Sequence, residues 1–161
     1  MLIKNLARYL NQSTKEINMH YNKNGKPMVD GLYFSVSHCR NHIVQIFSKD
    51  SEIGIDIEYI NPKRPYLKLA KRYFHALEIK YLNKLPHKLS LDLFYNIWTA
   101  KEAVCKTQGG RLWYYLADNY ITKNLAITPE MKGINLQHLN TIPNYSVCIA
   151  STKKIEKIVN V

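Results

Sequence analysis

Three carboxylates and a handful of basic groups stand at spacings that could do chemistry. In Ile53-Gly-Ile-Asp-Ile-Glu58 the isoleucines alternate with Gly54, Asp56 and Glu58, so a strand here turns the isoleucines to one face and puts both carboxylates on the other, two residues apart. Carboxylates that close repel each other unless a cation lies between them; a divalent metal is one solution, and a solvated sheet face is the other. In Trp98-Thr-Ala-Lys-Glu-Ala-Val-Cys-Lys106, Glu102 and Lys106 lie one helical turn apart beside Trp98. That order suits a surface ion pair of about 0.3–0.5 kcal/mol. On a helix packed across the strand, Glu102 would instead complete an oxygen-rich set suited to magnesium. Ser37-His38, beside Arg40, reads either as a strand end carrying a core histidine or as a phosphate contact.

The elements that must position these groups follow from periodicity. Leu89, Leu93, Ile97, Ala100 and Val104 recur at steps of three and four, which predicts a long helix with this stripe toward a core, closed by Gly109-Gly110. Leu2, Ile3, Leu6, Ala7 and Leu10 predict a short helix over 2–11. After the Asn22–Pro27 turn cluster, Leu32–His38, His42–Ser48 and Glu52–Glu58 read as an antiparallel meander. Asn61-Pro-Lys-Arg-Pro65 reads as a hinge between two halves. Helices are expected from about Tyr66 to Lys106 with a break near Leu85-Pro86, followed by strands within Tyr120–Ile127, Gly133–Leu136 and Asn144–Ala150. Tyr145–Ala150 faintly echoes Tyr33–His38. Lys101 faces away from the Glu102–Lys106 pair and reads as structural.

With 161 residues the chain fits a single domain able to bury a core without disulfides. Its three cysteines form no C-x-x-C pair and leave an odd thiol, which predicts a reducing, cytoplasmic setting. No apolar run approaches the roughly 18 residues needed to span a bilayer, so no membrane association is expected. The net charge of +11 implies an acidic partner. It is uneven: residues 61–88 hold Lys63, Arg64, Lys68, Lys71, Arg72, Lys80, Lys84 and Lys88 against the lone acid Glu78.

Phe34-Ser-Val-Ser-His-Cys39, Gly54-Ile-Asp-Ile-Glu58 and Trp98–Lys106 together resemble, in order and spacing, the three signature motifs of the 4′-phosphopantetheinyl transferases. They look most like the long, surfactin-synthetase-activating branch, whose G-K-P is matched by Gly25-Lys-Pro27, and the order of elements fits from Leu2 to about Ala150. The resemblance implies an α+β fold of two unequal, pseudo-symmetric halves, residues 1–60 and 61–161 of one domain, with the active site at their junction. It implies Mg²⁺-dependent transfer of phosphopantetheine from coenzyme A to a serine of an acyl or peptidyl carrier protein, releasing adenosine 3′,5′-bisphosphate. Asp56, Glu58 and Glu102 would hold the metal. Glu102 would act as base, Lys106 would stabilise charge on the bridging oxygen, and Lys26, Pro27, Ser37 and His38 would hold the nucleotide. Arg111, Leu112 and Trp113, just past the third motif, would dock the carrier together with the basic 63–88 helices.

The chain also departs from that pattern. Members of the long branch usually have a longer N-terminal portion with nucleotide-holding basic groups, whereas this chain opens at what resembles their last N-terminal helix, which predicts reduced nucleotide affinity. Ser35, Cys39 and Arg40 stand where the first motif usually has Asn, Ser and Gly, and Arg40 is either a substitute phosphate contact or a surface residue. Two other readings compete. An inactive relative retained as a carrier-binding module would keep the motifs without turnover. A basic nucleic-acid-binding protein would explain the charge but leave the three ordered motifs unexplained, and no nucleic-acid-binding signature is present.

Overall fold

The computed structural model describes residues 1–158 and is an α+β structure. In chain order its elements are helix α1 (Leu2–Leu10), the short strands β1 (His20–Tyr21) and β2 (Pro27–Met28), strands β3 (Tyr33–Cys39), β4 (His42–Ser48) and β5 (Ile53–Tyr59), helices α2 (Tyr66–Tyr73), α3 (Ala76–Leu82), α4 (His87–Gln108) and α5 (Trp113–Leu116), and strands β6 (Glu130–Met131), β7 (Ile134–Leu139) and β8 (Tyr145–Ser151). Among the described residues no helix is long and apolar enough to cross a membrane. The three cysteines are all free thiols.

The expected three-strand meander is corrected at its third member. β3 and β4 form a hairpin in register from Tyr33↔Ser48 to Cys39↔His42, but β5 leaves it to pair antiparallel with β8 in a four-stranded sheet ordered β5-β8-β7-β6. The reason lies in which groups β3 offers to β5. Ser35, Ser37 and Cys39 turn their side chains toward it, and their Oγ, Oγ and Sγ atoms accept hydrogen bonds from the amides of Ile55, Ile57 and Tyr59 at 3.1, 3.4 and 3.2 Å. The outer edge of β5 is therefore satisfied by side chains instead of a backbone ladder, as buried amides require.

Alternation along β5 then separates two interiors. Ile55 and Ile57 pack with Val147 and Ile149 toward Val44 and Ile46 of the hairpin. Gly54, on the other face, lies under α4: a Cβ there would run into the Ala103 carbonyl and stand 2.6 Å from the Thr107 amide nitrogen. Only glycine lets the helix approach so closely.

The helical region breaks once more than expected. His75 caps α3, accepting from the Leu77 amide while Glu78 accepts from the His75 amide, a capping box that starts a new helix two residues after α2 ends. Pro86 then precedes α4, which Gly109 closes at φ 73°. The predicted stripe of α4 is buried at Leu93, Ile97, Ala100 and Val104, but Leu89 in the first turn is exposed. Of Tyr120–Ile127 only an isolated Ile121↔Ile127 bridge is strand-like, because a turn closed between Thr122 and Ala126 interrupts the segment. β7 and β8 lie where strands are expected, each shifted slightly toward the C-terminus.

Gly54→Ala tests the strand–helix approach. The added methyl should force α4 off the sheet and cost about 1–3 kcal/mol of stability in a urea melt; an unchanged melt would show that the helix has room to yield.

Candidate active site

The close packing of α4 on β5 brings residues 50 apart in sequence into one buried node. Asp56 is only 4% exposed. Its Oδ1 accepts from the Ser37 hydroxyl at 2.8 Å and from the Lys106 ammonium at 2.6 Å, and Lys106 also donates to Ser37 Oγ at 2.9 Å. Ser37 thus accepts from Ile57 and Lys106 and donates to Asp56, so the first-motif serine orients the second-motif aspartate. Asp56 Oδ2 is buried and has no hydrogen-bond partner among the described residues.

The expected one-turn pair between Glu102 and Lys106 does not form, because Lys106 reaches across to Asp56 instead. Glu102 is left half-buried and short of counter-charge. Burial, then Asp56, pushes its carboxyl up to about 7, with Glu58 adding to the rise and Lys106 opposing it. Glu58 is also raised, first by burial and next by Asp56, while Arg64 and Lys106 pull it down. Arg64 stands 3.5 Å from Glu58 Oε2 and 5.3 Å over the Trp98 ring. Sequence reasoning placed Arg64 only among the hinge and basic residues; the signal available for its role was a cation six residues beyond a strand-end acid.

Whether a cation fits can be judged from these groups. A buried, unpartnered carboxylate oxygen and two raised carboxyls describe an excess of negative charge in low dielectric, which a divalent ion would relieve. Among the described residues no three Asp, Glu, His or Cys side chains draw close enough to cage an ion on their own. The expected set of Asp56, Glu58 and Glu102 therefore does not form a three-ligand cage in this structure, and the buried Asp56 Oδ2 is left open to a cation that would keep waters or take other ligands.

The remaining expected residues divide. Pro27 is half-buried on β2, opposite Tyr21, and His38 is exposed on β3, within reach of solvent ligands. Lys26 is brought to where β5 meets the end of α4, but its ammonium turns inward and donates to the carbonyls of Ile53 at 3.1 Å and Thr107 at 2.5 Å, which ties its loop to both. In this structure that ammonium does not face open space, contrary to the expected nucleotide contact. Arg40 lies on the surface at φ 54°, with its guanidinium 3.2 Å over the Tyr59 ring. Trp113 and Tyr114 are 59% and 71% exposed, and Arg111 stacks 5.5 Å over Trp113. Leu112 is instead half-buried against the helical core, so it is not a free anchor. Lys101 points away from the node into the core, where Glu78, the single acid of the basic stretch, pairs with it.

The model of the 4′-phosphopantetheinyl transferase superfamily matches residues 52–150. The Synechocystis sp. protein slr0495 is 39% identical over 109 residues, 65% of this chain and 44% of that protein. The 4′-phosphopantetheinyl transferase HetI of Nostoc sp. is 34% identical over 110 residues, 65% of this chain and 46% of its own length. The 4′-phosphopantetheinyl transferase gsp of Aneurinibacillus migulanus is 30% identical over 125 residues, 77% and 52% respectively. The chain spans about half the length of these relatives.

Lys106→Met should raise the Glu102 midpoint further above about 7 in metal-free protein, because the cation that opposes the rise is gone. Carboxyl carbon shifts followed through a pH titration read this directly, and a midpoint that stays or falls would mean that Lys106 does not face Glu102.

Proposed function

Because the chain belongs to the 4′-phosphopantetheinyl transferase superfamily, we propose that it transfers the 4′-phosphopantetheine group of coenzyme A to a serine of an acyl or peptidyl carrier protein and releases adenosine 3′,5′-bisphosphate. The proposed unit is a single domain over residues 1–161, made of two unequal, related halves that meet near residue 60, with coenzyme A at their junction. The setting proposed for it is the cytoplasm. The observation that carries the reading is Asp56, buried where strands and helix α4 meet, with one oxygen held by Ser37 and Lys106 and the other unpartnered.

Asp56, Glu58 and Glu102 would hold magnesium, which would supply positive charge against the pyrophosphate of coenzyme A. The chain's own groups supply the rest. Lys106 carries its charge on a flexible stem one hydrogen bond from Asp56, so its ammonium can move to the bridging oxygen, where charge develops as the anhydride breaks. Burial and Asp56 push the Glu102 carboxyl up to about 7 in the metal-free protein, and Glu102 is the proposed base for the carrier serine, directly or through a water. Its Oε atoms are the proposed acceptors of the carrier serine proton. His38, Ser37 and Pro27 would meet the nucleotide and its phosphates; Lys26 would join them only by leaving the Ile53 and Thr107 carbonyls.

The carrier side of the proposal rests on charge and exposure. Lys63, Lys68, Lys71, Arg72, Lys80, Lys84 and Lys88 are exposed, as is Arg111. Such a field steers an acidic partner toward encounter, while the exposed Trp113 ring supplies contact that slows departure.

Incubating an acyl carrier protein with coenzyme A, magnesium and this protein should add one phosphopantetheine to the carrier's intact mass. Asp56→Ala and Glu102→Ala should each abolish that gain while circular dichroism stays native; either variant working at wild-type speed would defeat the assignment of the carboxylates. A second expectation concerns docking. Trp113→Ala should raise the carrier KM by about tenfold, roughly 1.4 kcal/mol, and leave the coenzyme A KM alone. Equal effects on both substrates would return Trp113 to a structural role.

A further inference from the structure

Lys101 and Glu102 are consecutive on α4 yet serve different neighbourhoods. The Lys101 ammonium, fully buried, donates to Glu78 Oε2 at 2.7 Å and to the carbonyls of Leu116 and Asp118, each at 2.6 Å, so all three of its donors are used. Glu78, equally buried, accepts from the Tyr120 amide at 2.7 Å through Oε1 and from the His75 amide at 3.1 Å through Oε2. One ion pair therefore ties together the start of α3, the middle of α4 and the chain leaving α5. A buried ion pair is seldom the most stabilising choice, since apolar residues of similar volume often do as well; what this one adds is a set of directed hydrogen bonds to three separate segments.

The stretch it fixes is the one that needs fixing. α5 is four residues long and has no side-chain cap, too short to hold its own place, and it carries the exposed rings of Trp113 and Tyr114. We infer that the Lys101–Glu78 pair is a positioning device for this aromatic platform, setting its placement relative to Glu102 one residue along the same helix. The inference rests on the reading that the platform meets the carrier protein.

The test uses the full chain with Lys101→Met, and with Glu78→Gln combined with Lys101→Met so that no unpaired charge remains buried. In both, the carrier KM should rise about tenfold with the coenzyme A KM unchanged and kcat within about twofold, and the Tyr120 amide should lose its protection from hydrogen exchange. Lys101→Arg, which keeps the charge and the donors, should recover part of the carrier KM. Variants that fold and leave the carrier KM untouched, or that shift both substrates equally, overturn the inference. So does a double variant that fails to fold, because the pair would then be a requirement of the fold itself. A wild-type protein that neither modifies nor binds the carrier overturns the docking reading and this inference with it, whereas a working wild type with kinetically silent variants overturns the inference alone.

Discussion

Between Gly54 and the turn of α4 that runs from Ala103 to Thr107 there is no space for one more carbon atom. That closeness sets the rest of the site. It brings Lys106 within reach of Asp56, so that its ammonium donates to Oδ1 at 2.6 Å. It holds Glu102 half-buried and near two other carboxylates, which is what raises its affinity for a proton. It also leaves the Thr107 carbonyl where the Lys26 ammonium can close the end of the helix. A glycine in a strand ordinarily weakens it; here the missing side chain is what allows charges from distant segments to meet.

The opposite edge of β5 depends on an unusual seam. Ser35, Ser37 and Cys39 present two hydroxyls and a thiol to three successive outward amides. Ser37 does more than fill its place, because the same oxygen reaches Asp56 and Lys106. The sheet edge and the charged node are thus one network, and the polar residues of β3 answer to both.

Much of this was legible in the sequence, and the reasons differ from residue to residue. Alternation in Ile53–Glu58 assigned Asp56 and Glu58 to one face, and apolar periodicity assigned α4 and, apart from Leu89, its buried stripe. Spacing alone could not say that β5 would abandon the hairpin for β8, because strand pairing is decided by partners 86 to 98 residues away, from Tyr59↔Tyr145 to Ile53↔Ser151. Nor could it say that Lys106 would prefer Asp56 to its helical neighbour Glu102, a choice made by the depth of packing at Gly54. Lys26 carries a similar lesson: a lysine in a turn reads as a free cation until the carbonyls that claim it are placed beside it. The role of Glu78 was the most recoverable omission, since a single acid amid eight cations invites the question of which cation it serves.

The side-chain seam along β5 has a consequence for how this junction stores its register. A backbone ladder uses the same amide and carbonyl at every residue, so the ladder itself does not choose which side chains stand at its edge. The Ser-x-Ser-x-Cys seam is instead addressed. Sliding β3 by one residue would present Phe34, Val36 and His38 to the three amides, and two of those side chains offer no acceptor at all. The alignment of the two parts of the molecule is therefore spelled in residue identity, as a key is cut, and it can be respelled one letter at a time without rebuilding the sheet that it locks.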